Sequence, residues 1–358
     1  MSKTVIPFGP QHPVLPEPVH LKLVMQDEKI VEAIPAIGYV HRGLEKLTET
    51  KDFTQNVFIV ERICGICSFK HGLAYCQGIE ALMNIEVPDR ARYLRVIWGE
   101  LHRIHSHLLW LGLLADAFGF ESLFMQAWRN REKVMDIMEE TAGSRVIIST
   151  NCIGGTRRDI SKDMLIRISV IVDEIKEDLK QIEAAFLNDY TVKHRLVGVG
   201  VLSAEDAYNL GAVGPMARGS GIKQDFRTTG YAAYGELDFE PIVANDGDSY
   251  SRTVVRLKEV YQSISMIKQS IAKIPDGEIS VPVKGNPNGE YNSRVEQPRG
   301  EALYYIRANG TKNLDRLRVR TPTFANIPAL LKILPGSQLA DVPILILTID
   351  PCISCTER

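Results

Sequence analysis

The chain has 358 residues with 42 basic and 44 acidic side chains, so its formal net charge is −2. This balance excludes a basic nucleic-acid-binding protein, and 45% hydrophobic with 24% charged residues excludes an intrinsically disordered chain. The longest apolar stretch, residues 108–120, contains Asp116 and is too short to cross a hydrocarbon core of about 30 Å. The N-terminus has no apolar signal segment and meets Pro7, so we expect a cytoplasmic protein with reduced thiols.

The N-terminal region, residues 1–48, is predicted to be a small β region. Residues 19–25 alternate apolar and polar side chains in the period of a strand, and a short polar stretch separates them from the apolar residues 30–37. This pattern predicts a β-hairpin.

The middle of the chain, residues 49–274, repeats apolar side chains at the three- and four-residue spacing of helices. Pro88 followed by Asp89 marks the start of one long helix, and a second is predicted over residues 161–190. Residues 211–235 are rich in Gly and are predicted to form a long loop, which in a compact domain tends to be functional.

The C-terminal region, residues 275–358, begins with a second Gly- and Pro-rich stretch that predicts a long loop over residues 275–301. Two apolar stretches around the turn Asn309-Gly310 predict a second hairpin, with strands over residues 301–308 and 314–320.

The last apolar stretch, residues 342–350, is predicted to be a buried strand that leads into Cys352. The fold class expected from these elements is α+β, mainly α, in a single domain. It has a central helical bundle with small N-terminal and C-terminal β-hairpins.

Four of the six cysteines form two pairs, Cys64-Gly-Ile-Cys67 and Cys352-Ile-Ser-Cys355. Each pair can place two thiolates on one side of a tight turn, and two pairs brought together would bind a soft metal. A structural zinc site and a redox-active pair remain alternatives. Zinc ribbons, however, place their pairs about 15–20 residues apart, whereas here almost the whole chain lies between them, and no βαβ unit surrounds either pair.

The two pairs lie in longer motifs that resemble nickel-iron hydrogenase large subunits. The sequence from Arg62 to His71 matches their R-x-C-G-x-C-x-x-x-H motif, and Asp350 to Arg358 matches their D-P-C-x-x-C-x-x-H/R motif. The likeness covers nearly the whole chain and is to the membrane-associated, energy-converting (Ech-type) branch, which is related to the quinone-site subunit of respiratory complex I. Five segments carry it: GPQHP (9–13), HRGLEKL (41–47), IGGTRRD (153–159), GPMARGSG (214–221) and QPRGEALYY (297–305).

Complex I is the main alternative within this resemblance, because the five segments occur there too. Its subunit lacks the four thiolates and carries a quinone-binding His in the loop after GPQHP, where this chain has Pro16-Glu17. The sequence therefore favours a hydrogenase.

The resemblance implies a nickel-iron centre held by all four cysteines. Cys64 and Cys352 would be terminal nickel ligands, and Cys67 and Cys355 would bridge to an iron that carries carbon monoxide and cyanide. His71 would hydrogen-bond a bridging sulfur. The other two thiols, those of Cys76 and Cys152, have no partner at ligand spacing and are predicted to lie in the core.

The same resemblance predicts three groups that act on the substrate. Cys352 would accept the proton when H2 is cleaved heterolytically, Glu17 would relay that proton, and Arg299 would lie over the open side of the iron. From composition alone, Glu17 would be a surface residue in a Pro-rich turn and Arg299 a solvated charge.

Glu45 matches a glutamate that in many hydrogenases ligates magnesium together with a C-terminal His. Here the last residue is Arg358, whose guanidinium is not a metal ligand. We therefore expect Glu45 to pair with Arg358 in preference to binding magnesium.

Two further groups of polar residues are predicted to be structural or to form interfaces. Three histidines share one helix and are predicted to pack against neighbouring helices: His102, His105 and His107. Three arginines could face partner subunits: Arg157, Arg158 and Arg218.

The expected function is reversible cleavage and formation of H2 by an energy-converting hydrogenase. Two cysteines outside the metal site cannot hold a four-cysteine cluster, so an iron-sulfur small subunit is needed as partner. The resemblance further implies a ferredoxin-like subunit, ferredoxin as electron carrier, and integral membrane subunits that move protons or sodium ions. The chain would bind peripherally at the cytoplasmic side of the membrane.

Overall fold

The structure, a computed structural model, describes residues 3–13, 15 and 17–358. The N-terminal sheet has three antiparallel strands in the order β1 (Thr4–Phe8), β2 (Leu21–Gln26) and β3 (Lys29–Pro35). The alternation that predicted the hairpin decides which side of β2 is buried, because every second residue from Leu21 faces the core. The predicted hairpin is confirmed as β2 and β3, whereas β1 was missed.

The first half of the bundle contains the helices that flank the first cysteine pair. In chain order they are α1 (Leu44–Thr48), α2 (Asn56–Glu61), α3 (Ser68–Met83), α4 (Asp89–Ala117) and α5 (Glu121–Ala142). Pro88 directly precedes α4, as predicted, and most of this helix is buried on all sides. A helix buried all round lies at the centre of a bundle, and α4 packs between α5 and later helices.

The second half of the bundle is built on two long helices. The elements are the short strands β4 (Asn151–Cys152) and β5 (Gly155–Thr156), then α6 (Lys162–Asn188), α7 (Tyr190–Leu196), α8 (Ala204–Asn209), α9 (Pro215–Arg218) and α10 (Ser249–Lys273). The side chain of Ser161 caps α6, which confirms the second predicted helix. The predicted loop 211–235 is irregular apart from α9 and the 3-10 turn Phe226–Thr229, and it runs into a second 3-10 turn at Tyr234–Glu236.

The C-terminal region holds a second antiparallel sheet and a group of short helices. The strands are β6 (Asn288–Gln297), β7 (Gly300–Asn309) and β8 (Leu314–Arg320), and the helices are α11 (Pro322–Ile333), α12 (Val342–Thr348) and α13 (Ile353–Glu357), with a 3-10 turn at Leu339–Asp341. The second predicted hairpin is confirmed as β7 and β8.

Two sequence-based predictions in this region are wrong. Residues 288–297, predicted as part of a loop, form β6, because pairing with β7 outweighs their polar composition. Residues 342–348, predicted as a strand, form the helix α12. A short wholly apolar stretch fits either structure, and Pro343 in the first turn favours the helix.

The core of the described residues contains one large cluster and two smaller ones. The large cluster lies among α3, α4, α5, α6 and α10 and the second sheet, and the second lies between the N-terminal sheet and α11 and α12. The third joins α4 and α10 to the loop around Tyr234. The molecule is about half helix and 15% strand, which confirms the expected mainly α member of the α+β class. Among the described residues, no helix is both long enough and apolar enough to cross a membrane.

Candidate metal centre

The two cysteine pairs meet in one buried cluster. The Sγ atoms of Cys64 and Cys352 are 3.1 Å apart, and those of Cys67 and Cys355 are 3.3 Å apart. Both distances exceed the roughly 2.05 Å of a disulfide, so all four groups are free thiols. All four side chains are buried.

Short turns next to helices position these thiols. Cys64 and Cys67 lie between α2 and α3, with Cys67 immediately before the first residue of α3. Cys352 immediately precedes α13 and Cys355 lies within it. Asp350 has a positive φ of 54°, which turns the chain after α12 toward the first pair.

The electrostatics of the cluster suit a bound cation. Burial opposes ionisation of Cys67, but hydrogen bonds from the neighbouring thiols outweigh it and lower the pKa of Cys67. Burial, together with the same neighbours, raises the pKa of Cys355. Four thiolates cannot coexist here without a positive partner, and soft sulfur donors of this number fit a thiolate-bound metal centre.

His71 lies beside the cluster on α3. Its Nε2 is 3.3 Å from Cys355 Sγ, and its Nδ1 is 2.5 Å from the hydroxyl of Tyr304. The side-chain amide of Gln297 is 3.3 Å from the same Nε2. These contacts fix the orientation of the ring toward the sulfur, which is how groups around a metal site tune its ligands.

Arg299 is buried next to the cluster and is held by two residues. Its Nε donates to the backbone oxygen of Asp350 at 2.8 Å, its NH2 lies 2.7 Å from the Asp350 carboxylate, and its NH1 donates to Ser106 Oγ at 3.1 Å. Burial opposes the charge of Arg299, but Asp350 and the nearby thiols outweigh it and raise its pKa. The guanidinium is therefore a fixed positive charge beside the thiols.

Glu17 joins the N-terminal region to the second cysteine pair. Its Oε2 accepts hydrogen bonds from the backbone N–H groups of Ile353 and Ser354, the two residues after Cys352. Burial raises the pKa of Glu17, against the opposing charge of Arg299 and these backbone donors. A carboxyl group shifted upward next to a thiol cluster is suited to exchanging protons.

A cavity of about 190 Å³ lies next to Glu17 and Arg299. Apart from these two residues and Asp350, its walls are apolar. They are formed by Ile66, Leu109, Trp110, Leu113, Trp128, Leu347 and Pro351.

Residues 40–45 tie the two cysteine segments together. Arg42 donates to the backbone oxygens of Arg62 and Ile63 at 2.9 and 2.7 Å and to that of Ser354 at 3.2 Å. His41 Nδ1 is 2.7 Å from the backbone oxygen of Glu357. No role was predicted for Arg42, although it lies in the segment HRGLEKL.

Glu45 forms the ion pair with Arg358 that the sequence predicted, at 2.9 Å. It also accepts from Arg318 at 2.7 Å and from the backbone N–H of Val319 at 3.0 Å. Burial opposes ionisation, but these donors together lower the pKa of Glu45. Both carboxylate oxygens therefore bond to protein donors.

The other predicted polar groups divide into buried and exposed residues. The three histidines of α4 are buried as predicted, and His107 Nε2 is 2.8 Å from Glu259. Arg157 and Arg158 are exposed, but Arg218 is wholly buried and paired with carboxylates, so its predicted place at a subunit surface is wrong. Residues that sequence reasoning missed include Asp350 and Ser106, which hold Arg299.

Comparison with known families gives the class of protein. The family described as respiratory-chain NADH dehydrogenase, 49 Kd subunit, matches residues 117–284 and 282–358. The family described as nickel-dependent hydrogenase matches residues 42–117, which include the first cysteine pair.

Relatives of both kinds, hydrogenases and NADH-quinone oxidoreductase subunits, match almost the whole chain. The carbon monoxide-induced hydrogenase of Rhodospirillum rubrum is 40% identical, with all of both chains covered. The membrane-bound hydrogenase subunit alpha of Pyrococcus furiosus is 40% identical over 99% of this chain and 87% of its own. An NADH-quinone oxidoreductase subunit of Thermodesulfovibrio yellowstonii is 34% identical over 99% of this chain and 96% of its own.

The chain belongs to the family that unites the large subunits of membrane-bound, energy-converting nickel-iron hydrogenases with the 49-kDa subunit of respiratory complex I.

Proposed function

We propose that the protein is the catalytic subunit of an energy-converting hydrogenase, which cleaves and forms H2 at a nickel-iron centre. The observation that carries this proposal is the meeting of four free, buried thiols from two C-x-x-C pairs at opposite ends of the sequence. The hydrogenase relatives support it, since they match over the full length of the chain.

A role as a quinone-site subunit is the main alternative, because relatives of that class also match. Such a subunit needs no thiol cluster, whereas here the cluster and the groups around it form one organised site. His71, Arg299 and Glu17 each have fixed hydrogen-bond partners beside it. This arrangement favours a metal-dependent reaction.

The residues that would hold the metal pair are Cys64, Cys67, Cys352 and Cys355. Of these, Cys67 and Cys355 would also bind the iron, which would carry carbon monoxide and cyanide. When bound, this group would supply a soft, redox-active Lewis acid at which H2 is polarised. His71 would stabilise negative charge on Cys355. No magnesium is needed at Glu45, because protein donors already satisfy its carboxylate.

Proton handling is assigned to three residues of the chain. The thiolate of Cys352 would accept the proton of heterolytic cleavage, and Glu17 would take it from there, since the Glu17 carboxylate is bonded to the backbone next to Cys352. Arg299 is held in position by Asp350 and Ser106. Its guanidinium would present a positive charge and N–H donors to the reacting centre.

Electrons would leave through other subunits. Cys76 is buried in the core and Cys152 lies on β4, so neither belongs to the four-thiol site. We propose an iron-sulfur small subunit as the immediate electron partner, a ferredoxin-like subunit and ferredoxin as the carrier, and integral membrane subunits that use the energy to move ions. Peripheral attachment at the cytoplasmic side of the membrane completes this arrangement.

The test is metal analysis and infrared spectroscopy of the purified assembled complex. We expect nickel and iron together with iron-bound carbonyl and cyanide bands. Cys352→Ser should abolish nickel binding, whereas Cys76→Ala, which removes a buried thiol outside the cluster, should leave it unchanged. Zinc alone, or no metal, in the wild-type complex would refute the proposal.

A further inference from the structure

Eight charged side chains form a network in the centre of the bundle, away from solvent. Four are basic and four acidic, and each has an exposed fraction of at most 3%. The buried charge network consists of Lys70, Glu100, Arg103, Arg218, Asp225, Arg227, Glu259 and Glu296.

Three arginines and three carboxylates of this network neutralise one another. Arg227 holds Asp225 at 2.6 Å, Arg218 holds Glu259 at 2.8 Å and Arg103 holds Glu100 at 3.1 Å. Arginine does not lose its proton in proteins. Burial opposes ionisation of Glu100, but the surrounding cations lower its pKa to about 2. These six groups therefore stay charged at any physiological pH.

Lys70 is the least compensated cation of the network. Its Nζ donates to the hydroxyl of Tyr234 at 2.8 Å, and the nearest carboxylate oxygen, on Glu100, is 3.9 Å away. Gly99 lies against the ammonium, since a Cβ at that position would be 2.6 Å from Nζ. Burial lowers the pKa of Lys70 to about 7, and the charges of Arg103 and Arg227 act in the same direction.

Glu296 is the least compensated anion. Its carboxylate accepts from Arg218 at 2.8 Å and from the backbone N–H of Phe226 at 3.1 Å, and it faces the negative charge of Asp225. Burial and Asp225 raise the pKa of Glu296 to about 7, against the opposing effect of Arg218 and Arg103. The network has the same total charge whether Lys70 and Glu296 are both charged or both neutral.

The network is linked to the thiol cluster through two intervening residues. Arg103 donates to the backbone oxygen of Gln297 at 3.2 Å, the Gln297 side-chain amide contacts His71, and His71 contacts Cys355. On the opposite side Arg227 donates to Gln262, a half-buried residue, at 2.9 Å. Direct contacts therefore connect the network both to a residue beside the thiol cluster and to a residue near the surface.

We propose that Lys70 and Glu296 are a proton-storing pair that balances changes of charge at the four-thiol site. This rests on the proposed function, which changes the charge there in each turnover. When negative charge is added, the Glu296 carboxylate takes up a proton and becomes a carboxylic acid. When negative charge is withdrawn, that acid releases its proton or the Lys70 ammonium becomes an amine. Only protons move, so the exchange needs no other reactant.

Tyr234 connects Lys70 to Glu100 by hydrogen bonds. The phenol accepts from Lys70 and donates to Glu100, so an amine, a hydroxyl and a carboxylate form one buried hydrogen-bonded chain. Ser263 donates to the other oxygen of Glu100 at 2.7 Å and holds it in place. This chain holds the Lys70 nitrogen in place although the nearest carboxylate oxygen is 3.9 Å away.

Infrared difference spectroscopy of the assembled complex, recorded on either side of neutral pH, tests the pair. We expect a carboxylic-acid band on the acid side that disappears in Glu296→Gln and persists in Glu290→Gln, which changes an exposed carboxylate on the same strand. A band that persists in Glu296→Gln, or no such band in wild type, would overturn the proposal. Carbon-13 labelling of glutamate carboxyls in a Glu17→Gln, Glu61→Gln double variant removes the other glutamates whose pKa burial raises, so the remaining band is assigned to Glu296 even if Glu296→Gln does not fold.

Lys70→Met tests the coupling between the two residues. Removing a positive charge from the same buried network should move the midpoint of the Glu296 band to higher pH. A midpoint that stays at the wild-type value would show that the residues are independent and would refute the pairing.

Reduction of the complex at constant neutral pH tests the link to the metal centre. On reduction, the carboxylic-acid band of Glu296 should grow in the complex that contains its metals and should not change in Cys352→Ser. The pH dependence of the band should be the same in both. If the wild-type band does not change on reduction, the proposed link between Glu296 and the four-thiol site is refuted. Metal analysis decides the proposed function separately, because the pH-dependent band requires no metal.

Discussion

Arg299→Lys separates the shape of the guanidinium from its charge. Arg299 uses three nitrogens: Nε bonds to the Asp350 backbone, NH2 to the Asp350 carboxylate and NH1 to Ser106. Lysine keeps the charge but has a single nitrogen at the end of a flexible chain. It can therefore re-form only one of the three contacts, and the other two are lost.

The cost in stability follows from the two contacts that are lost. Each buried hydrogen bond is worth about 1–1.5 kcal/mol, so we expect the free energy of unfolding to fall by about 2–3 kcal/mol. We expect turnover to fall by about 10²-fold, since this is the typical effect of removing one oriented hydrogen-bond donor from a reacting centre. Metal content should stay at the wild-type level, because the bonds of Arg299 are to Asp350 and Ser106.

Three measurements on the assembled complex check this prediction: denaturant unfolding, nickel and iron content, and H2 oxidation. The matched control is Arg307→Lys, at a half-exposed arginine on β7 whose carboxylate partner is 3.8 Å away, and it should change stability by less than about 0.5 kcal/mol. If Arg299→Lys has wild-type turnover and a full metal content, the planar guanidinium of Arg299 has no catalytic role. Loss of the metal would show that Arg299 acts mainly in assembly.

Three further changes have defined outcomes. Glu17→Gln keeps the acceptor for the backbone of α13 but cannot carry a proton, so hydrogen-deuterium exchange should fall by about 10²-fold with metal retained; wild-type exchange would return Glu17 to a structural role. Gly214→Ala would place a Cβ 2.3 Å from the Arg299 backbone oxygen and should cost about 3 kcal/mol or more in thermal or denaturant unfolding, whereas Gly285→Ala, also at positive φ but in open space, should cost about 1 kcal/mol. The pKa of Glu45 is lower in the folded protein than in the unfolded chain. The ionised Glu45 carboxylate therefore stabilises the fold fully at pH values above its unfolded-state pKa, and this stabilisation is lost as the pH falls through its folded-state pKa. Glu45→Gln should therefore destabilise by about 1 kcal/mol at neutral pH and have no effect in strong acid, and a pH-independent difference would contradict this.

The parts of the structure that sequence could predict are those with a local cause. The start of α4 and both ends of α6 depend on neighbouring residues, so these positions were predicted to within a few residues. The spacing within each cysteine pair is local too. That the two pairs meet was an inference from their chemistry, because no local pattern connects Cys67 with Cys355.

The wrong predictions have a non-local cause. Strand β6 has few apolar residues and gains its structure from pairing with β7. The helix α12 is apolar at every position except the last, Thr348, so periodicity gives no signal. Arg218 was expected at a surface because arginines are mostly exposed, and only the fold places Glu259 and Glu296 beside it.

The buried charge network was invisible in the sequence for the same reason. Glu100 and Arg103 look like an ordinary i, i+3 pair on a solvated helix face, and Glu259 lies in a helix with many other polar residues. Burial of such groups depends on partners from five different segments. Sequence patterns within one segment cannot report it.

The contact between Cys67 and Cys355 joins residues that are 288 positions apart. Closing a flexible loop of that length costs about 5 kcal/mol in chain entropy, and contacts of such high sequence separation form late in folding. The helices around α4 can therefore assemble while α13 is still detached and the thiols remain in contact with water. We expect α13 to dock after the bundle has formed, and this order of folding would leave an interval in which a metal centre can be inserted.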